Sequence, residues 1–299
     1  MIDPVSYYST HSPLTYLPKE EGITTLLDDL PSNVPEIVNI VQSNVLHIFW
    51  AENYGVKLSE ERTNEVNLRS SADMLRRMYE LKPQSLVKKR ELDRKLVGNC
   101  RDFTVLTVSL LRESGIPARA RCGFGAYFSG PEDKLKYIDH WVVEYWNGDR
   151  WVMVDSQIDA LQKRVIELSF DPLDVPHDKF ITGGVAWSMC RSGTDPDLFG
   201  IWDMSGLRFV RGDMVRDLAS LAKTPLLPWD GWGVMLDQKE IHYELMDRVA
   251  VVTIPATEEY EEIMELNKHP LLKVPETVVS WMGGTEPFSV KLSDVVEEM

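Results

Sequence analysis

Cys100, His140 and Asp155 are the residues of this chain whose types, taken together, could open an amide or ester bond. A thiol attacks best as a thiolate, an imidazole can carry its proton, and a carboxylate can hold that imidazole in one tautomer. Cys100 stands in the run GNCRDFTVLTVSLLRESGIPARARCGFGAYF, residues 98–128, at the first turn of what the spacing of Phe103, Leu106, Leu110 and Leu111 predicts as a helix. The unpaired amides and partial positive charge of a helix start predict a thiol that ionises easily there. Position alone does not make it a nucleophile, since free cysteines are among the most buried residues. Its partners must come from elsewhere.

They come from a hairpin. YIDHWVVEYW and RWVMVD read as strands on either side of Asn147-Gly148. With those two residues as the loop, Trp146 stands opposite Asp149, Tyr145 opposite Arg150 and His140 opposite Asp155. Directly opposed residues share a sheet face with Cβ atoms roughly 4.5–5.5 Å apart, within reach of an imidazole–carboxylate bond. Asp139 alternates to the other face. A loop at Gly148-Asp149 would instead set His140 opposite Gln157. Taken singly, His140 reads as a bonded sheet histidine and Asp155 as a strand-end turn residue. The combination reads as a cysteine acyl-transfer site.

Other elements must hold these residues in place. Asn33, with Glu36 three residues on, opens a predicted helix with Ile37, Val38, Val41, Val45 and Phe49 at helical spacing. A second spans residues 59–81 and stops before Pro83. The Cys100 helix ends at Ser-Gly-Ile-Pro. Beyond Asp155 the pattern predicts helices over residues 183–191, 207–222, 237–246 and 258–267, with Gly183-Gly184 as a candidate lid or groove wall. The expected organisation is an N-terminal helical segment (1–58), a catalytic core (59–160) and a mainly helical C-terminal extension (161–299) packed on it.

The chain of 299 residues has 43% hydrophobic residues and nine Trp, ample for a large core. A formal charge of -15 repels phosphate backbones and anionic lipid, so neither nucleic acid nor membrane is an expected partner. The first twenty residues lack a basic and then apolar run, and no window of roughly eighteen apolar residues occurs. Three cysteines do not make a disulfide framework, which points to a reducing compartment and a cytoplasmic protein.

The motifs resemble the transglutaminase-like superfamily. Its Gly-x-Cys opening a helix, its Leu-Arg-x-x-Gly-Ile-Pro-Ala-Arg segment, its His-x-Trp-Val-Glu and its Trp-x-x-x-Asp are met by Gly98-Asn99-Cys100, by Leu111-Arg112 with Gly115-Ile116-Pro117-Ala118-Arg119, by His140 with Glu144, and by Trp151 with Asp155. The resemblance covers about residues 70–159. It implies an α+β fold, papain-like in layout, with helices packed on a small antiparallel sheet. It also implies Cys100 as nucleophile, His140 as base and Asp155 as orienting acid. The chain departs from the pattern at Trp141 and Val142, where the family has a small residue and Trp, and at Ser156, where it has Pro. Nothing outside the core resembles the calcium-dependent crosslinking enzymes, so their calcium and substrates do not carry over; the compact bacterial members are more similar.

The resulting expectation is thiol-dependent hydrolysis or acyl transfer on a peptide, isopeptide or glycosylamide, hydrolysis being preferred, without cofactor or metal. The backbone N–H of Cys100 supplies one oxyanion donor. By the resemblance the second comes from upstream, with Trp50, Asn53 and Asn99 as candidates; Trp141 is a further candidate for substrate contact. Two other readings stand beside this one: a silent peptide-binding module, and a zinc site on Cys100, His140 and Asp155, which lacks ligand-spacing motifs. Cys122 reads as packing. Arg119 and Arg121 read as partners of surface carboxylates, and His177 and His242 have no evident partner.

Overall fold

The computed structural model describes residues 3–254, 260–281 and 286–296. Short helices α1 (Pro4–Tyr8) and α2 (Glu21–Leu27) precede α3 (Val34–Asn44), where Asn33 Oδ1 accepts the Glu36 N–H as the sequence predicts. The chain then runs into β1 (Val45–His47), which pairs in parallel with β2 (Leu96–Gly98) and sets His47 opposite Gly98. Between these strands the helix expected over residues 59–81 is broken. It resolves into α4 (Glu60–Thr63), a 3-10 turn at Asn64–Asn67 and α5 (Ser71–Leu81), newly capped by Ser70. The break lets buried Glu65 accept the backbone N–H of Val97, tying the turn to β2.

β2 leads through Asn99 into α6 (Cys100–Glu113). Asn99 Oδ1 accepts from Arg101 and Asp102, and Asp102 Oδ2 accepts from Asn99, a reciprocal capping box that fixes where the helix starts. Phe103, Leu106, Leu110 and Leu111 of α6 pack on Ala118, Ala120 and Cys122 of β3 (Ala118–Gly125) and on Trp141 and Val143 of β4 (Tyr137–Trp146). β5 (Trp151–Val154) closes the hairpin on β4.

The hairpin register differs from the expected one. Trp146 faces Trp151 and Val143 faces Val154, so Gly148-Asp149 forms the loop. Gly148, at φ +102°, takes the first loop position, where a primed turn needs positive φ. Asn147 contributes its side chain instead, Oδ1 accepting the N–H groups of Asp149 and Arg150. Sliding the loop by one residue shifts the pairing by two, and two is the side-chain period of a strand. Asp155 therefore keeps the face of His140.

After α7 (Ala160–Val165) the C-terminal half adds strands as well as the expected helices. β6 (Phe180–Thr182) pairs with β3, β7 (Phe199–Ile201) pairs in parallel with β4, and β8 (Met204–Ser205) extends the same sheet in the order β6-β3-β4-β7-β8. α8 (Gly183–Arg191) and α9 (Leu207–Leu221) occupy the predicted places. Gly183 and Gly184 form no lid. A Cβ on Gly183 would stand 2.4 Å from Met214 Cα, and one on Gly184 would stand 2.2 Å from Thr253 Oγ1, so both glycines let helices meet closely. β9 (Asp230–Gly231) leads to α10 (Tyr243–Thr253), which starts later than expected. Asp237 Oδ1 accepts the N–H groups of Lys239 and Glu240 and holds a turn there, while His242 caps at φ +59°. α11 (Tyr260–Leu266) lies within the last expected helix, whose residues 258 and 259 fall outside the described residues. β10 (Thr277–Ser280) and β11 (Phe288–Lys291) complete a small sheet with β9. Among the described residues no helix is long and apolar enough to cross a membrane.

Candidate active site

Asp155 is the best-anchored side chain of the predicted set. Once past the last ladder pair, its N–H donates to Pro172 O and not to β4, so the chain turns off the sheet at this residue. Its Oδ1 accepts the Gln157 N–H at 3.0 Å, and its Oδ2 accepts the Tyr127 hydroxyl at 2.6 Å and lies 2.8 Å from His140 Nε2. Asp155 is 1% exposed and His140 3%. With a carboxylate accepting at Nε2, the neutral ring carries its proton there and keeps Nδ1 as the basic nitrogen. Phe128 and Tyr127 stand edge-on to the imidazole, centroids 4.8 and 6.0 Å away, and fix its plane.

Cys100 occupies the first position of α6, partly exposed, at the edge of the core that α6 forms with the sheet. The expected easy ionisation is overturned. Burial pushes the thiol well up, and the charges of Asp139, Asp102 and Asp155 push the same way, outweighing the helix start. Among the described residues no hydrogen bond joins the Cys100 thiol to His140, and α6 packs on the face of β4 that carries Trp141 and Val143.

Asp139 acts through a cluster that has no motif in the sequence. Ligand-type atoms of Cys122, Asp139 and Asp213 lie within 4.8 Å of one another, and Asp139 Oδ1 and Asp213 Oδ2 are buried with no hydrogen-bond partner among the described residues. Burial lifts Asp139 to about 6 and Asp213 well above the usual carboxylate range, while Arg216 pairs with Asp213 Oδ1 and pulls both the other way. Two carboxyls this close retain a proton between them more readily than two charges.

The remaining candidates are spread out. Trp50 is half-buried in the 3-10 segment Ile48–Tyr54 that follows β1, and Asn53 is exposed on it. Asn99 is buried, with its Oδ1 committed to the cap and its Nδ2 without a partner among the described residues. Trp141 is 1% exposed among Cys122 and Val143 on the face of β4 turned away from His140, so it serves packing. Arg119 and Arg121 pair with carboxylates, but in the interior. Arg119 Nε and Arg121 Nη1 both donate to Glu144 Oε2, and Arg121 grips Asp217 with two bonds. Burial opposes charge on Glu144, yet the two guanidiniums hold it down at about 2. His242 bonds Asp237, whereas His177 is exposed. Tyr127, Asp213 and His47, whose buried ring lies close enough to feel the charges of His140 and Asp155, escape sequence reading. Only the proximity of Tyr127 to the end of a predicted strand could have raised it.

The structure thus sets a thiol at the start of α6 and, on the hairpin that α6 packs against, a bonded histidine and aspartate. Residues 57–156 match the model of the transglutaminase-like superfamily. No curated protein matches the sequence. Among solved structures, a protein of Cytophaga hutchinsonii described as a candidate cysteine protease is 19% identical, with a TM-score of 0.34. The alignment covers 61% of this chain and 46% of that one, so this chain spans less than half of that protein.

Proposed function

We propose that the protein cleaves an amide bond of a peptide, isopeptide or glycosylamide through Cys100, His140 and Asp155. The observation that carries this reading is the His140–Asp155 bond, 2.8 Å long and buried, in a core matching the transglutaminase-like superfamily whose α6 starts with the thiol. His140 Nδ1 takes the thiol proton as Sγ adds to the carbonyl carbon. The same proton then passes to the leaving amine as the C–N bond breaks, leaving a thioester. Water attacks the thioester, His140 accepts its proton, and the acid departs as the proton returns to sulfur. Asp155 holds the tautomer and stabilises the imidazolium between these transfers. The backbone N–H of Cys100 faces the developing oxyanion.

In this reading residues 59–160 form the catalytic core and residues 161–299 an extension that shares its sheet. Water is the acceptor, as the resemblance to compact members implies. Cys100, Cys122 and Cys190 are all free thiols, consistent with the cytoplasm. One observation favours a silent binding module instead: the environment of Cys100 opposes its ionisation.

The test is a panel of peptides, isopeptides and glycosylamides incubated with and without a primary amine, with products read by mass spectrometry. Wild type is expected to release free acid, and Cys100→Ala to be silent while unfolding cooperatively. Cleavage that survives Cys100→Ala contradicts the assignment, and a product joined to the added amine moves it from hydrolysis to crosslinking.

A further inference from the structure

The oxyanion formed at Cys100 needs a second donor; Asn99 Nδ2, buried with no hydrogen-bond partner among the described residues, is one candidate, and His47 is another. The β1–β2 pairing sets it opposite Gly98, two residues before the nucleophile. Its ring lies 6.1 Å from that of Phe103, one turn along α6 from Cys100, and it feels the charges of His140 and Asp155. It therefore lies beside the start of α6.

Its protonation is set by its neighbours. Nδ1 accepts the Phe49 N–H at 3.3 Å, so a neutral ring must carry its proton on Nε2. Burial, and then the nearby His140, drive the ring's pKa down to about 3, against a weaker pull from Asp155. Among the described residues Nε2 has no hydrogen-bond partner. The result is an oriented N–H donor that stays uncharged at neutral pH, with its hydrogen free to point at a ligand.

We propose that His47 Nε2–H joins the backbone N–H of Cys100 as the second donor to the oxyanion formed when the thiol adds to a carbonyl. This rests on the acyl-transfer reading above. His47 gives up no proton and forms no bond; it lends a hydrogen bond that strengthens as the carbonyl oxygen gains charge.

The test compares two reactions of Cys100 that differ in one respect. p-Nitrophenyl acetate acetylates sulfur through a tetrahedral oxyanion: the S–C bond forms, the ester C–O bond breaks and p-nitrophenolate leaves. Iodoacetamide alkylates the same sulfur by direct displacement of iodide, with no oxyanion. His47→Met keeps the bulk without the N–H, and His47→Gln restores a donor, so the pair remains informative even if His47→Ala folds poorly. His47→Met is expected to slow Cys100 acetylation by roughly 10²–10³-fold, leave its alkylation unchanged, and be largely rescued by His47→Gln. Acetylation that ignores His47, or a fall in both reactions together, overturns the proposal while leaving the nucleophile intact. If wild type acquires no acetyl group on Cys100, the acyl-transfer reading fails and this inference with it.

Discussion

The hydroxyl of Tyr127 and Nε2 of His140 converge on one oxygen, Asp155 Oδ2, at 2.6 and 2.8 Å. Burial and the adjacent Asp155 push the Tyr127 phenol well above its usual range, and it donates to the carboxylate. It locks the carboxylate that orients His140 and touches no reacting atom, which makes it a positioning residue. A bond from a neutral donor to a charged acceptor is worth about 1.5–3 kcal/mol, so Tyr127→Phe should lower kcat by roughly 10- to 100-fold with KM little changed. Equal changes in kcat/KM and KM, with kcat intact, would remove Tyr127 from this role.

Asp139 should control the acidity of the nucleophile. It is the foremost of the charges that hold the Cys100 thiol up. Replacing it with Asn removes that charge, so the pH midpoint of Cys100 alkylation should move down, with Cys190 as an internal reference. A midpoint that stays in place would mean that burial alone sets the thiol.

The same residue makes a prediction about stability. In the folded protein Asp139 stands at about 6, raised first by burial. The unfolded chain titrates it near 3.9, so between about pH 4 and 6 the folded state binds more protons, and stability falls as pH rises through that window. Asp139→Asn escapes this loss. Its Tm should exceed that of wild type at about pH 7, with the gap closing toward about pH 4; a gap independent of pH would contradict the linkage.

Arg121 should be structural. Its removal leaves Asp217 without its bidentate partner and Glu144 with one guanidinium in place of two, all in the interior. Arg121→Met should cost about 3–5 kcal/mol in denaturant unfolding, the usual penalty for a buried charge stripped of its partner. A loss below about 1 kcal/mol would place the network in the class of exposed pairs.

Local chemistry is what the sequence makes legible here. The Asn33 cap, the start of α6 and β4 are read correctly because side chains a few residues away decide them. His140 and Asp155 meet despite a misplaced loop, since a two-residue slip preserves the face. The sign of the Cys100 shift is missed because it depends on Asp139 and Asp155, brought near by tertiary packing, and on burial that no spacing displays. His47 lies on a three-residue parallel strand too short to show a period, and Asp213 reaches the site only because α9 packs on β3. The lid expected at Gly183-Gly184 fails for a similar reason: paired glycines mark close approach, and only the fold says of what.

The central claim is that Cys100 accepts an acyl group with His140 as its base, and its most direct test is peptide-mapped acetylation by p-nitrophenyl acetate in wild type and His140→Ala. The account predicts acetyl on Cys100 in preference to Cys122 and Cys190, slowed by roughly 10²-fold or more without the imidazole. Acetyl shared evenly among the three thiols, or a Cys100 rate indifferent to His140, would contradict it.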